Sequence, residues 1–242
     1  MSAAVPGLAR DMGAFNNETM SQISASLDFF NVMAYDLMNR RDNVTKHHTG
    51  LNLSMEAVNN YLERGIPSEK LHLGFAFYVK WFQTSPRGRC SLDPVGCETV
   101  LMEDPVTGAD LGRSGAFAWN DKVPTELSAS FHRALISGQY DSTNGGHYFW
   151  DSDENIWWTW DTPEAIARKF PAIVEKKRLG GVFAWGLGED SASWTHLKAL
   201  TAEIQRKSSG SRHHDEDTEY AARNSQSQRA TKLPGSQTKD EL

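Results

Sequence analysis

No apolar run in this sequence approaches the ~18–20 residues that a membrane-spanning helix needs, and no membrane partner is expected. Basic excess is missing as well. Lys and Arg total 25 against 31 Asp and Glu, a formal net charge of −6, which gives no electrostatic footprint for nucleic acid. Met1 is not followed by a basic stretch and a long apolar one, so a signal peptide is not expected. Cysteine is scarce: only Cys90 and Cys97 occur. Two thiols cannot complete a zinc site, and His47-His48 are adjacent in a loop rather than at the i, i+4 spacing of helix-borne ligands. Neither metal nor cofactor is expected. The two cysteines leave open a disulfide or two free thiols.

What is present is core material. The chain has 242 residues, 39% of them hydrophobic, with eight Trp, enough for one large domain or two small ones. The stretch Leu27–Asp36, LDFFNVMAYD, is a short apolar run that stops at a tyrosine and a carboxylate. Such a run suits a strand buried on both faces of a parallel sheet. Polar groups at its carboxyl end point to use, since active sites of (β/α)8 barrels are built there.

Taken in order, residues 1–36 read strand, loop, helix (about Glu18–Ser26), strand, the half of a βαβ repeat. Leu37–Leu53 reads as a polar loop. A helix is expected over about Met55–Arg64, with Ser54 as N-cap and Gly65 as its stop. Leu71–Tyr78 is the next strand. Residues 81–160 do not read as a βα repeat. They hold a helix near Thr125–Ser137 and two aromatic strands, His147–Trp150 and Ile156–Trp160, joined by a turn. Trp157, Trp158 and Trp160 read as packing residues of this stretch ahead of sugar platforms, and Tyr148 and Trp150 face the same choice. Thr162-Pro163 starts a helix that runs to about Arg178, Gly180-Gly181 end it, a strand follows, and a last helix spans about Trp194–Arg206. From 207 to 242 the composition turns to Ser, Gln and charge without periodicity, and a disordered tail is expected.

Four segments together resemble glycoside hydrolase family 18, the chitinases. Met33, Tyr35 and Asp36 match the Met-x-Tyr-Asp pattern at the end of the sixth barrel strand. Ser2–Gly7, Leu71–Trp81 and Gly180–Asp190 resemble strands five, seven and eight. The fold class implied is α/β: a partial (β/α)8 TIM barrel, strands five to eight, with an α+β insertion. The domains are 1–80 (strands five to seven), 81–160 (insertion), 161–206 (last barrel elements) and the tail 207–242. The family's insertion often carries a disulfide, so Cys90 and Cys97 are its candidates. The catalytic signature D-x-x-D-x-D-x-E does not occur in the sequence; Asp151–Glu154, DSDE, lacks the leading carboxylate and the spacing.

The resemblance implies a retaining reaction in which the sugar's own acetamide oxygen attacks the anomeric carbon. It gives acetamide positioning to Tyr35 and Asp36 and substrate contact to Met33, Tyr78 and Trp185. Lys80 stands where many members have Arg, a point charge in place of a planar fork. Glu189 and Asp190 lie near the cleft mouth, but nothing in the sequence makes either a substitute acid. The partner implied is chitin or an N-acetylglucosamine oligosaccharide. Hydrolysis by these residues alone is not expected, because the acid Glu is missing. Alternatives are a carbohydrate-binding remnant, an endo-β-N-acetylglucosaminidase acting on N-glycans, and a truncated product that is unstable because four strands cannot close a barrel. Asn17, Asn43 and Asn52 begin glycosylation sequons. The terminal Lys239-Asp240-Glu241-Leu242 reads as an endoplasmic-reticulum retention signal, so the expected location of the full-length parent is the lumen, with the retention receptor as partner.

Overall fold

A computed structural model describes residues 1–207; the expected disordered tail and the retention signal Lys239–Leu242 lie outside the described residues. The chain divides into two units, 1–200 and 201 onward. The described part of the second, 201–207, is helical, so Lys207 belongs to a helix rather than to the expected tail.

The first unit holds two sheets. Strands β1 (Ser2–Pro6), β2 (Phe29–Met33), β3 (Leu71–Ala76) and β9 (Gly181–Trp185) form a parallel sheet in the order β1-β2-β3-β9. The sheet does not close on itself among the described residues. Alternation sorts its side chains. Val5, Phe30, Val32, Leu71, Leu73 and Phe75 lie on one face. They are buried with Val58 and Tyr61 of α2 (Leu51–Leu62) and Ile166 of α4 (Pro163–Lys169). Each fully buried side chain of this size stabilises the fold by roughly 1.5–3 kcal/mol relative to exposure. Phe29, Asn31 and Met33 point to the other face and are half-buried. The first crossover carries α1 (Met20–Ser26).

A second, antiparallel sheet is built from β4 (Tyr78–Gln83), β5 (Ser114–Ala118), β6 (Gln139–Asp141), β7 (Gly146–Asp151) and β8 (Ile156–Trp160), in the order β5-β4-β8-β7-β6. The expected aromatic hairpin is β7–β8, with Trp150 opposite Trp157. Helix α3 (Thr125–Ser137) covers one face, where Phe131 meets Phe117 and Trp158. Residues 37–50 cover the other. That segment is not the open polar loop its composition suggests: Thr45, His47, His48 and Thr49 are all buried, and the Trp157 indole donates to the Lys46 carbonyl. Only glycine fits at Gly146 of β7, because a Cβ there would overlap the His47 ring.

Several expected boundaries move for physical reasons. Helix α2 begins at Leu51, and Ser54 lies inside it, buried, rather than capping it. The Leu51 and Asn52 N–H groups donate to the carbonyls of Gly145 and Asn144, so a distant turn satisfies the donors that a cap would serve. The run Leu71–Tyr78 is two strands, not one. It breaks at Phe77, whose N–H donates to the Trp185 carbonyl, and Tyr78 opens the second sheet. Thr162 does cap α4, its side chain accepting from Ala165 N–H. That helix ends at Lys169 rather than Arg178. Pro171 has no N–H to donate, and residues Phe170–Glu175 widen into a π-helical turn. The short helix α1 starts at Met20, two residues later than expected.

Candidate functional site

Three chain segments meet at the carboxyl ends of β2, β3 and β9. The β2 run ends at Met33, and Tyr35 and Asp36 follow; Asp36 has φ +54°, a left-handed conformation uncommon outside glycine and found at strained functional positions. Met33, Tyr35, Ala76, Tyr78 and Phe183 form one apolar cluster. Tyr35 meets Tyr78 and Phe183 edge-on, with ring centroids 6.3 and 6.2 Å apart.

Polar order in the cluster centres on Asp36. Its Oδ1 accepts from the Tyr78 hydroxyl and from Lys80 Nζ, each at 2.8 Å. Lys80 therefore reaches Asp36 in spite of its shorter, unforked head group. Both bonds fall on one oxygen, which leaves the second as an acceptor. Burial, then the Asp36 and Glu189 charges, pushes the Tyr35 phenol up to about 12. The same causes, with the hydrogen bond to Asp36, raise Tyr78 further. Both phenols stay protonated at neutral pH; the Tyr78 hydroxyl donates to Asp36, and the Tyr35 hydroxyl keeps a proton to donate.

Trp185 closes β9 and is 59% exposed; its peptide bond to Gly186 is cis. Beside Tyr35 and Asp36 opens a cleft of about 530 Å³, lined also by Met33, Asn39, Arg40 and Arg41. Tyr78 and Trp185 are not in its lining. Two of its lining residues are joined by an ion pair, Arg41 Nη2 on both Asp11 carboxylate oxygens at 3.0 and 2.9 Å, and outside the lining Arg10 forks onto Asp42 at 2.9 and 3.1 Å. Sequence reasoning passed over these four residues, and also over Glu189 as a neighbour of Trp185. Asp190 is buried and accepts from the N–H groups of Ser191, His196 and Leu197. It is a structural cap, not an acid in the cleft.

Of the other candidates, Trp157, Trp158 and Trp160 are at most 3% exposed and serve as packing residues. Tyr148 stacks on Trp157, and Trp150 donates to Thr84. Cys90 and Cys97 are disulfide-bonded. The sequons differ. Asn17 is exposed. Asn43 is exposed, but the Thr45 hydroxyl of its sequon is buried and donates to the Pro94 carbonyl. Asn52 donates its side-chain amide to the Thr143 carbonyl, a bond that a glycan would disrupt. When the chain is secreted from a glycosylating host behind an added leader, glycopeptide mass spectrometry of the folded fraction is expected to find glycan at Asn17 and little at Asn52. Full occupancy of Asn52 in folded material would contradict this.

Comparison with known proteins gives a consistent result. The family described as glycosyl hydrolases family 18 matches residues 1–190. Endochitinase 1 of Metarhizium robertsii is 27% identical over 187 residues, which cover 73% of this chain and 39% of that protein. Chitinase B of Serratia marcescens is 24% identical, covering 75% and 44%. Among solved structures, a chitinase from Rhizomucor miehei superposes with a TM-score of 0.66 at 21% identity, over 84% of this chain and 61% of that one. The family 18 chitinase of Cycas revoluta, solved with (GlcNAc)3, gives 0.61 at 22%, over 84% and 55%. At these identities the structural likeness speaks to the fold. The chain spans about two-fifths of the length of these curated relatives.

Proposed function

Because this chain belongs to the glycosyl hydrolases of family 18, we propose that its 242 residues form the substrate-positioning half of a chitinase-like glycosidase. They bind chitin or its oligosaccharides without hydrolysing them. The observation that carries this reading is the cluster of Tyr35, Asp36, Tyr78 and Lys80 just past the carboxyl ends of β2 and β3, with the exposed Trp185 ring at the end of β9.

The chemistry follows from what these groups can do. An acetamide must be turned so that its oxygen faces the anomeric carbon. The Tyr35 phenol is a donor for that oxygen, and the free oxygen of Asp36 is an acceptor for the acetamide N–H or a hydroxyl. Lys80 and Tyr78 hold the Asp36 carboxylate in one rotamer, which lowers the ordering cost of binding. The Trp185 face suits the C–H-rich face of a pyranose. The leaving oxygen still needs a proton. General acid help is worth roughly 10²–10⁴-fold, and the motif that supplies the acid is absent from the sequence.

Titration calorimetry of the 242-residue chain with N-acetylchitotetraose is expected to show binding. Asp36→Asn and Trp185→Ala should each weaken it about tenfold or more, the scale of one charge-assisted hydrogen bond or one lost ring contact. Tyr35→Phe should weaken it less while leaving the melting temperature unchanged. Absence of binding by the unaltered chain would overturn the reading. Release of shorter oligosaccharides would overturn its non-hydrolytic part. Stronger competition by a high-mannose glycan than by chitotetraose would favour an N-glycan substrate instead.

A further inference from the structure

All-parallel sheets are normally covered on both faces. Here the sheet β1-β2-β3-β9 is covered fully on one, where it packs on α2 and α4. The alternate residues Ala4, Phe29, Asn31, Met33, His72 and Phe183 lie on the other face, and none of them is buried. Phe29 and His72 stack there with ring centroids 4.4 Å apart, yet both rings stay half-buried. The edges are open as well. Among the described residues β1 pairs with β2 alone, and β9 with β3 alone. Edge strands are usually blunted by charge, proline or a bulge. Neither β1 nor β9 carries a charged side chain, and the one proline, Pro6, stands at the end of β1. Two unpaired five-residue edges and a half-covered face therefore call for an occupant. Residues 208–242 lack the sequence for it: their longest apolar run is Tyr220-Ala221-Ala222, short of a strand.

We propose that the occupant is a second copy of this chain, related by a two-fold axis along the strands, so that β9 of each copy pairs in parallel with β1 of the other and the two sheets close into one eight-stranded barrel. Four strands are half of the eight that close a parallel barrel. The two-fold axis keeps every strand parallel and meets both edges of both copies at once, so the assembly stops at two. Antiparallel pairing of β1 with its own copy would leave β9 and the open face unmet. Closure turns both open faces inward. The interior of such a barrel is a packed core filled from alternate strands, and Phe29, Met33 and Phe183 are of the kind that fills it. The inference is independent of what the cleft beside Asp36 binds.

Sedimentation equilibrium of the full, unaltered chain is the first test and needs no variant. The mass is expected at twice 27.0 kDa over a wide range of concentration, and not beyond. Ala4 is exposed on β1, so Ala4→Glu should leave each copy folded while placing two carboxylates in the closed interior. It is expected to weaken the dimer about a hundredfold or more. Ala4→Val, apolar and suited to a strand, should keep it within about tenfold. Hydrogen exchange then locates the contact. Within one copy β9 is not a neighbour of β1, so a local disturbance at Ala4 does not reach it. In Ala4→Glu the β9 amides should exchange about tenfold faster than in the unaltered chain, and those of β8 should change less. A single-copy mass at every concentration overturns the proposal. Mass that keeps rising past two copies overturns it as well, since β9 would then add to β1 without closing. So does a dimer that survives Ala4→Glu with β9 exchange unmoved, because its contact lies elsewhere.

Discussion

Replacing Lys169 with methionine is expected to cost about 3–5 kcal/mol of stability, the penalty for stripping one partner from a buried ion pair. Lys169 Nζ meets Asp161 Oδ2 at 2.6 Å, with side chains 1% and 0% exposed. The carboxylate is shared: Oδ1 accepts from the Thr49 hydroxyl at 3.0 Å. The ammonium also lies 5.3 Å from the centre of the Phe75 ring, which attracts it through the ring face. The backbone carbonyl of Asp161 accepts from His196 Nε2 at 2.9 Å, and His196 Nδ1 sits 2.6 Å from Asp190. One residue pair therefore ties together α4, the covering segment 37–50, the end of β8 and the turn after β9. In Lys169→Met the Asp161 carboxylate stays buried with only the Thr49 hydroxyl to solvate it. That loss is a large share of the roughly 5–15 kcal/mol that a domain has in total, so the single variant is expected to be partly unfolded at room temperature. Urea unfolding of Lys169→Met/Asp161→Asn gives the control. With both charges removed the loss should be smaller than in Lys169→Met alone, because the unpaired carboxylate is gone. A single variant within 1 kcal/mol of the unaltered chain, or a double variant worse than the sum of the singles, would refute the account.

The same pair shows where sequence reasoning stops. Asp161 and Lys169 are eight residues apart on either side of a helix start, and nothing in that spacing says that both are buried. The parts of the fold that were legible are those set by local chemistry. The β2 run and its Tyr35-Asp36 ending, the aromatic hairpin of β7 and β8, and the Thr162-Pro163 start of α4 all appear where their residue types put them. The parts that were not legible are decided by groups far away in the chain. Ser54 looks like a cap, but residues 144 and 145 supply the acceptors. The run Leu71–Tyr78 is uniformly apolar, so the switch between sheets at Phe77 leaves no mark in the composition. At the site, Tyr35, Asp36 and Tyr78 were legible as a set. Their link through Lys80 was not, since it needs β4 to lie beside the end of β2. Glu189 was visible only as an acidic residue near the mouth; its main-chain tie to Trp119 depends on the fold of the turn. The ion pairs Arg10–Asp42 and Arg41–Asp11 join two loops about 30 residues apart, again beyond any local signal.

The segment 37–50 leads to a second large effect, a fall of stability with acid well above the carboxylate range. His48 is 0% exposed, and neither ring nitrogen has a hydrogen-bond partner; His47 is 1% exposed, with Nδ1 unpartnered and Nε2 3.0 Å from Asp141. Burial pushes both imidazoles down, His48 well below its ordinary value, with the Lys80 and Lys169 charges adding to it. For His47 the Asp141 carboxylate opposes burial without overcoming it. A second proton on either ring would sit in the interior with no acceptor. The unfolded chain takes up that proton near pH 6.5 and the folded chain does not, so protons favour unfolding. Stability from these groups is fully present above about pH 6.5 and is lost as pH falls. The limiting slope is about 1.4 kcal/mol per pH unit for each group that stays neutral when folded. Asp141 works in a separate window. Burial raises it, but hydrogen bonds from His47, Asn144 and two backbone N–H groups bring it down to about 2, so its contribution persists to far lower pH. Urea unfolding at pH 7.5, 6.5 and 5.5 should therefore show stability dropping across the lower interval. His48→Phe keeps the ring contact with Tyr78, whose centroid is 5.3 Å away, and removes two unpaired nitrogens. It is expected to raise stability at pH 7.5 by about 1 kcal/mol and to flatten the drop below pH 6.5. The drop should not vanish, because His47, His72 and His147 are lowered by burial too. Equal pH slopes for His48→Phe and the unaltered chain would mean that the His48 imidazole is solvated or protonated in the folded state, and the buried covering segment would have to be redrawn.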